Sequence, residues 1–140
     1  MAYCTQADIL TRIGSEELVA LADLDEDGTA DATTIAEAIA DADGHINSYL
    51  EVKYTVPVSP VPDVLVKRST ILAIYFLQLH RNSLTEDYKQ AFKDITAWLK
   101  DVVAGKASLG VSTPKPAEGA GAATVDYTVK DRVFGRDEPL

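Results

Sequence analysis

The stretch Ile71-Leu-Ala-Ile-Tyr-Phe-Leu77, ILAIYFL in one-letter code, decides the fold, because it has no polar face. A helix that is apolar all round must be covered on several sides, so this segment reads as the central helix of the fold. It lies within a longer helical pattern that starts at Pro62, where proline suits the first turn. Leu65, Ile71, Leu72, Tyr75, Phe76 and Leu79 follow at spacings of three and four. Downstream, Thr85 with Glu86 and Asp87 behind it caps a last helix. That helix carries Tyr88, Phe92, Ile95, Trp98, Leu99, Val102 and Val103, and Gly105 stops it.

Upstream of Pro62 the segment EVKYTVPVSPVP, residues 51–62, breaks helical periodicity. Its three closely spaced prolines cannot sit in a helix interior and push their neighbours to extended geometry, so it reads as an extended connector. Before it, Thr34 with Glu37 has capping-box spacing and leads a stripe of Ile35, Ile39, Ala42, Ile46, Tyr49 and Leu50. This is a long amphipathic helix. At the N-terminus, Thr5 followed by Asp8 caps a short helix over Ile9, Leu10 and Ile13 that Gly14 closes, and Ser15 opens a second one with Glu16 and Glu17 in its first turn. Five helices and no strand within residues 1–105 predict an all-α fold, a compact bundle of about five helices.

The composition changes beyond residue 110. Residues 111–123, VSTPKPAEGAGAA, are rich in Pro, Gly and Ala and offer no apolar face, so they read as a linker. Val125, Tyr127 and Val129 then alternate with polar residues, a strand-like pattern near residues 124–134. A lone strand has no partner, so a segment of this composition is expected to be held by another chain. The expected organisation is a helical domain over residues 1–110 and a long extended C-terminal arm over residues 111–140. The residues of the arm that would meet a partner are Val125, Tyr127, Val129, Arg132, Val133, Phe134 and Arg136.

At 140 residues, 46% of them hydrophobic, the chain can bury one ordinary core. Its formal net charge of −9 argues against a surface that wraps nucleic-acid phosphates, because such binding draws on Lys and Arg. The longest apolar run, residues 71–77, is far short of the roughly 20 residues that span a bilayer, and the N-terminus lacks a basic head and apolar stretch. A soluble protein made in a cytoplasm is expected, with no membrane partner. Cys4 is the single cysteine, which excludes an intrachain disulfide.

One segment invites a metal. DLDEDGTAD, residues 23–31, matches the twelve-residue calcium loop with Asp23, Asp25 and Asp27 at positions 1, 3 and 5. Gly28 follows at position 6, Thr29 at 7 and Asp31 at 9. Position 12, which should supply a bidentate Glu, is Thr34. That loss removes two of about seven oxygens and one charge. The set Asp23, Asp25, Asp27 and Asp31 is therefore a weak candidate, and the preferred reading is an acidic turn between two helices with Asp31 or Thr34 as the next N-cap. No metal or other cofactor is expected.

Nor does the rest of the chain carry a catalytic pattern. His45 and His80 have no second candidate ligand nearby in sequence, the serines lack a nucleophile-elbow context, and no Gly-rich phosphate loop follows a strand. The aromatics Tyr75, Phe76, Tyr88, Phe92 and Trp98 fall on helical core spacing and read as core. An enzyme is not expected.

The order of features carries a resemblance. Tyr-x-Thr-x-x-Asp-Ile at residues 3–9, the acidic Asp-Gly loop at 23–31 and Ala-Asp-Ala-Asp-x-x-Ile-x-x-Tyr-Leu at 40–50 are three of its blocks. Tyr-x-Val-Pro-Val-x-Pro-Val-Pro at 54–62, Gly-Lys-x-Ser-Leu-Gly at 105–110 and Arg-Val-Phe-Gly-Arg-Asp at 132–137 complete it. Together they resemble the Mu-like phage family of small neck proteins. The resemblance implies a head-tail connector, also termed an adaptor or head completion protein, at the virion neck and assembled in the bacterial host cytoplasm. Its implied partners are further copies of itself in a ring, dodecameric in similar connectors, together with the portal protein and a tail terminator or tail completion protein. Genomic DNA would pass through the ring without specific binding, and an acidic wall would keep DNA from adhering. The alternative that the residues leave open is a calcium-binding helical interaction module with a degenerate loop.

Overall fold

A computed structural model of the chain describes residues 2–110, which form four α-helices: α1 (Gln6–Ala22), α2 (Ala32–Leu50), α3 (Asp63–His80) and α4 (Glu86–Ala104). Among the described residues there is no strand. The all-α class holds. Of the five expected helices, the two short N-terminal ones run on as α1, with the expected break between them at Gly14. Gly14 takes φ 85 and ψ 165, outside helical geometry, and the helix resumes behind it. Glycine is the residue that reaches this region without a Cβ clash. The glycine stop expected from the sequence is therefore a kink.

α3 is the centre of the molecule and packs against α1, α2 and α4, whereas α1 and α4 flank the α2–α3 pair and do not pack on one another. Leu65, Leu72, Ala73, Ile74 and Leu77 of α3 are fully buried against Ile35, Ala38, Ala42, Ile46 and Leu50 of α2 and Leu99 and Val102 of α4. Removing each such Leu or Ile from water contributes about 1.5–3 kcal/mol before entropy is counted. The aromatics occupy a shallower position than core spacing implied. Phe76, Tyr88, Phe92 and Trp98 are half-buried and pack against the core rather than within it. Tyr75 stacks on Phe92 at 4.4 Å between centroids.

The helix caps differ in kind. Thr5 and Asp8 form a reciprocal capping box at α1, with the Asp8 N–H donating to Thr5 Oγ1 and the Thr5 N–H donating to Asp8 Oδ2 at 2.8 Å. The box expected at Thr34 and Glu37 is absent. α2 begins three residues earlier, at Ala32 with Asp31, the other expected N-cap, before it, and Thr34 is buried inside the helix. Thr85 does precede α4, yet its N–H and hydroxyl both donate to Gln78 Oε1 rather than its oxygen capping the helix. Gly105 ends α4 in the left-handed region at φ 85.

The proline connector carries no helix or strand, and its Val56–Pro57 and Ser59–Pro60 peptide bonds are cis. It is not a loose spacer. Tyr3, 2% exposed, donates its hydroxyl hydrogen to Asn47 Oδ1 of α2, and the same oxygen accepts the N–H of Val58 at 3.0 Å. The Tyr3 N–H donates to Asp43 Oδ1 at 3.2 Å. One residue thus fastens the N-terminus, α2 and the connector together.

The strand-like segment near 124–134 and the whole arm over 111–140 lie outside the described residues.

Candidate functional site

The acidic turn between α1 and α2 is closed by its own backbone. The Asp31 N–H donates to the Ala22 carbonyl at 3.0 Å, which brings the ends of the two helices together. Asp23 accepts the N–H groups of Asp27 at 3.0 Å and Gly28 at 2.9 Å, and Asp25 accepts the N–H of Asp27 at 3.2 Å. Asp27 Oδ1 takes both the N–H and the hydroxyl of Thr29, and Asp31 Oδ2 takes the N–H of Leu24 at 3.0 Å. Glu26 and Gly28 supply the positive φ values, 61 and 88, that let the chain turn this tightly.

The four aspartates named from the sequence do converge. One carboxylate oxygen from each of Asp23, Asp25, Asp27 and Asp31 lies within 4.8 Å of the others. Hydrogen bonding with Asp23 raises the Asp25 carboxyl above its ordinary range, whereas the Thr29 hydroxyl and amide hold Asp27 below it. As a calcium site the set remains incomplete, because Thr34 at the twelfth position is buried within α2 and has no carboxylate to offer. An amide or hydroxyl donor engages each of the four carboxylates.

The other sequence candidates disperse. His45 is half-buried between Tyr49 and Phe92, its Nε2 lies 3.0 Å from Thr96 Oγ1, and burial lowers its pKa. His80 at the end of α3 lies 3.7 Å from Asp41. Cys4 is buried, and burial raises the pKa of its thiol, the opposite of what a nucleophile needs. The arm residues Val125, Tyr127, Val129, Arg132, Val133, Phe134 and Arg136 lie outside the described residues.

One arrangement had no signal in the sequence. The Arg68 guanidinium of α3 stacks over the Trp98 ring of α4 at 4.3 Å from its centroid, and the two residues are 30 positions apart. No periodicity rule links such a pair. The Tyr3–Asn47–Val58 cluster was hidden in the same way, although all three residues fall within blocks quoted above for their resemblance to neck proteins.

Comparison with known proteins gives a consistent result. Residues 3–126 match the family model described as Bacteriophage Mu, Gp36. The chain is similar to the Mu-like prophage FluMu protein gp36 of Haemophilus influenzae, with 33% identity over 110 residues, 79% of this chain and 77% of the relative. It is also similar to Gene product J of Escherichia phage Mu, with 28% identity over 134 residues, 96% of this chain and 86% of the relative.

Proposed function

This chain belongs to the Bacteriophage Mu, Gp36 family and is a phage protein of the Mu type, and we propose that it is a head-tail connector, a non-catalytic ring subunit between portal and tail. The observation that carries this reading is the extent of the family match. It runs from residue 3 through the whole helical body and on to residue 126, so the body and the first part of the arm belong to one family unit.

The physical character of the body supports the same role. A ring subunit must hold its two contact faces at a fixed angle, and the Tyr3 cluster fixes the N-terminus and the proline connector against α2. The arm, with alternating Val125, Tyr127 and Val129, has the pattern of a segment that adds to a neighbour's surface. At a net charge of −9 the ring wall would repel DNA and let it slide past. No helix among the described residues is long and apolar enough to cross a membrane.

Copurification tests the proposal. The full-length chain should comigrate with the portal protein of the same phage through size exclusion, and a chain ending at Gly110 should comigrate less well. Equal portal binding and ring formation by the two would overturn the role given to the arm, and comigration of neither would overturn the connector reading. The convergence of four carboxylates favours a second reading, a calcium-dependent interaction module. Calorimetric titration separates the two, since a sensor-type loop binds at about 10⁻⁵ M or tighter, and binding no tighter than about 10⁻³ M excludes it.

A further inference from the structure

The central helix is not covered on every side. α1 and α4 both pack on α3 and do not pack on one another, so a strip of α3 between them lies open among the described residues. Two hollows adjoin along it at Arg12. One of about 360 Å³ is floored by α3 from Asp63 to Thr70 and walled by Thr11 and Arg12 of α1; the other, of about 250 Å³, lies between Arg12, Ile71, Tyr88 and Ala91. Val66, Ile71, Tyr88 and Ala91 are half-buried and make the groove apolar along its length. A helix that is apolar all round is built to be covered, and an apolar strip with a polar rim marks the place where a partner covers it.

The arm carries side chains that fit such a groove. An extended segment sets Val125, Tyr127 and Val129 on one side over about 13 Å, and the groove floor from Asp63 to Ile71 spans about 12 Å of the α3 axis. Arg12 and Lys67 on the rim can donate to the carbonyls of that segment, and Asp63 can accept from its amides. The exit point of the arm fits as well. α4 runs antiparallel to α3, since Arg68 lies over Trp98 and Tyr75 over Phe92, so the chain leaves at Gly110 from the end of the bundle where α3 and the groove begin. Copies related by rotation about a ring axis stay at one height, which puts the departing arm of one copy level with its neighbour's groove. Residues 111–124 reach up to about 46 Å, farther than the roughly 35 Å across a domain of this size. The hollow lined by Ala20, Leu24, His80 and Arg81 is at the far end of α3, about 27 Å along its axis from Asp63.

We propose that the groove over Val66 and Ile71, between α1 and α4, receives Val125, Tyr127 and Val129 from the arm of a second copy of this chain. This rests on the ring reading above and names the surface that takes the arm. Each copy gives an arm on one side and accepts one on the other, the heterologous arrangement that closes into a ring when the rotation per subunit allows. The contact is apolar, so it holds copies together although each carries a net charge of −9.

Disulfide trapping on the full-length chain tests the contact. Copies with Lys67→Cys are mixed with copies carrying Val125→Cys, Tyr127→Cys or Val129→Cys, one at a time so that two of the three apolar residues remain, and are assembled on portal particles of the same phage. The native thiol, Cys4, is buried and stays out of the reaction. A disulfide needs Cα atoms within about 7 Å, so at least one of these pairs should link two chains on a nonreducing gel. Lys100 is exposed about two and a half turns along α4 from Ala91, on the opposite face, and Lys100→Cys should link about tenfold less with the same partners. Ala91→Glu places a charge on the groove wall outside the core cluster, and should lower the linked fraction about tenfold while thermal melts show the chain folded. Rings that form with no link from any of the three arm positions, or with equal linking at Lys100→Cys, overturn the contact and leave the ring reading standing. A folded Ala91→Glu chain that links as well as its parent overturns it too. So does a link found only within single chains when both cysteines are placed on one copy. A chain that forms no ring under these conditions overturns the contact and the ring together.

Discussion

Replacing Tyr3 by Phe removes one oxygen from the point where three segments meet. The ring stays, so the core around a residue only 2% exposed keeps its volume, and the loss is confined to hydrogen bonding. Val58 is 1% exposed, and its N–H has the Tyr3 hydroxyl as acceptor at 3.0 Å. Water cannot reach it easily once the oxygen is gone. Asn47 is only half-buried and can turn to solvent, so its share is small. The expected cost is that of one buried donor left unmatched, about 1–3 kcal/mol. For a domain of this size a cost of about 2 kcal/mol lowers the melting midpoint by roughly 8 °C. Urea unfolding should show a lower midpoint with an unchanged slope, since the surface exposed on unfolding is the same. The titration gives a second signature. Burial raises the Tyr3 hydroxyl pKa above its ordinary 10.0 in the folded state, so its contribution is whole below pH 10 and is lost as pH climbs through the folded value. The unaltered protein should therefore lose more stability in alkali than Tyr3→Phe does. A loss under about 0.5 kcal/mol, less than a typical net hydrogen bond, would refute the claim that this hydroxyl fastens the connector.

Gly14→Ala should destabilise the body by about 1 kcal/mol or more, because a Cβ at φ 85 strains the backbone although no neighbouring atom stands within 4 Å; thermal melts would show it, and an unchanged midpoint would contradict the kink. Cys4 should resist a thiol-reactive dye in the native protein near neutral pH and react at once in urea, and immediate native labelling would show that it is accessible. Burial lowers the His45 pKa from its ordinary 6.5, so its contribution is intact above that pH and is lost as pH falls through the folded value. Stability measured from pH 7 to 5 should fall more steeply for the unaltered chain than for His45→Gln, and parallel slopes would count against the burial argument.

Local chemistry was the part of this molecule legible in its sequence. ILAIYFL announced a covered helix because apolarity on every side has few other uses in a chain without a membrane-length run, and Gly105 announced the stop of the last helix because a left-handed cap favours glycine. Thr34 and Glu37 misled because capping-box spacing competes with the closure of the preceding loop. The Asp31 N–H bond to Ala22 and the Asp31 carboxylate on Leu24 start α2 early and leave Thr34 inside. Gly14 was correctly read as a break, and the two helical segments on either side of it run on as one element across the kink. Of the candidate site, the convergence of the aspartates followed from spacing, and so did the missing twelfth ligand. The Arg68–Trp98 stack and the Tyr3 cluster did not, since they join residues 30 to 55 positions apart through tertiary packing alone.

Electron microscopy of portal particles from the same phage, incubated with the full-length chain, tests the connector role most directly. The account expects an added ring of this chain, coaxial with the portal and open along the DNA path. Bare portals beside a chain that stays monomeric would contradict it.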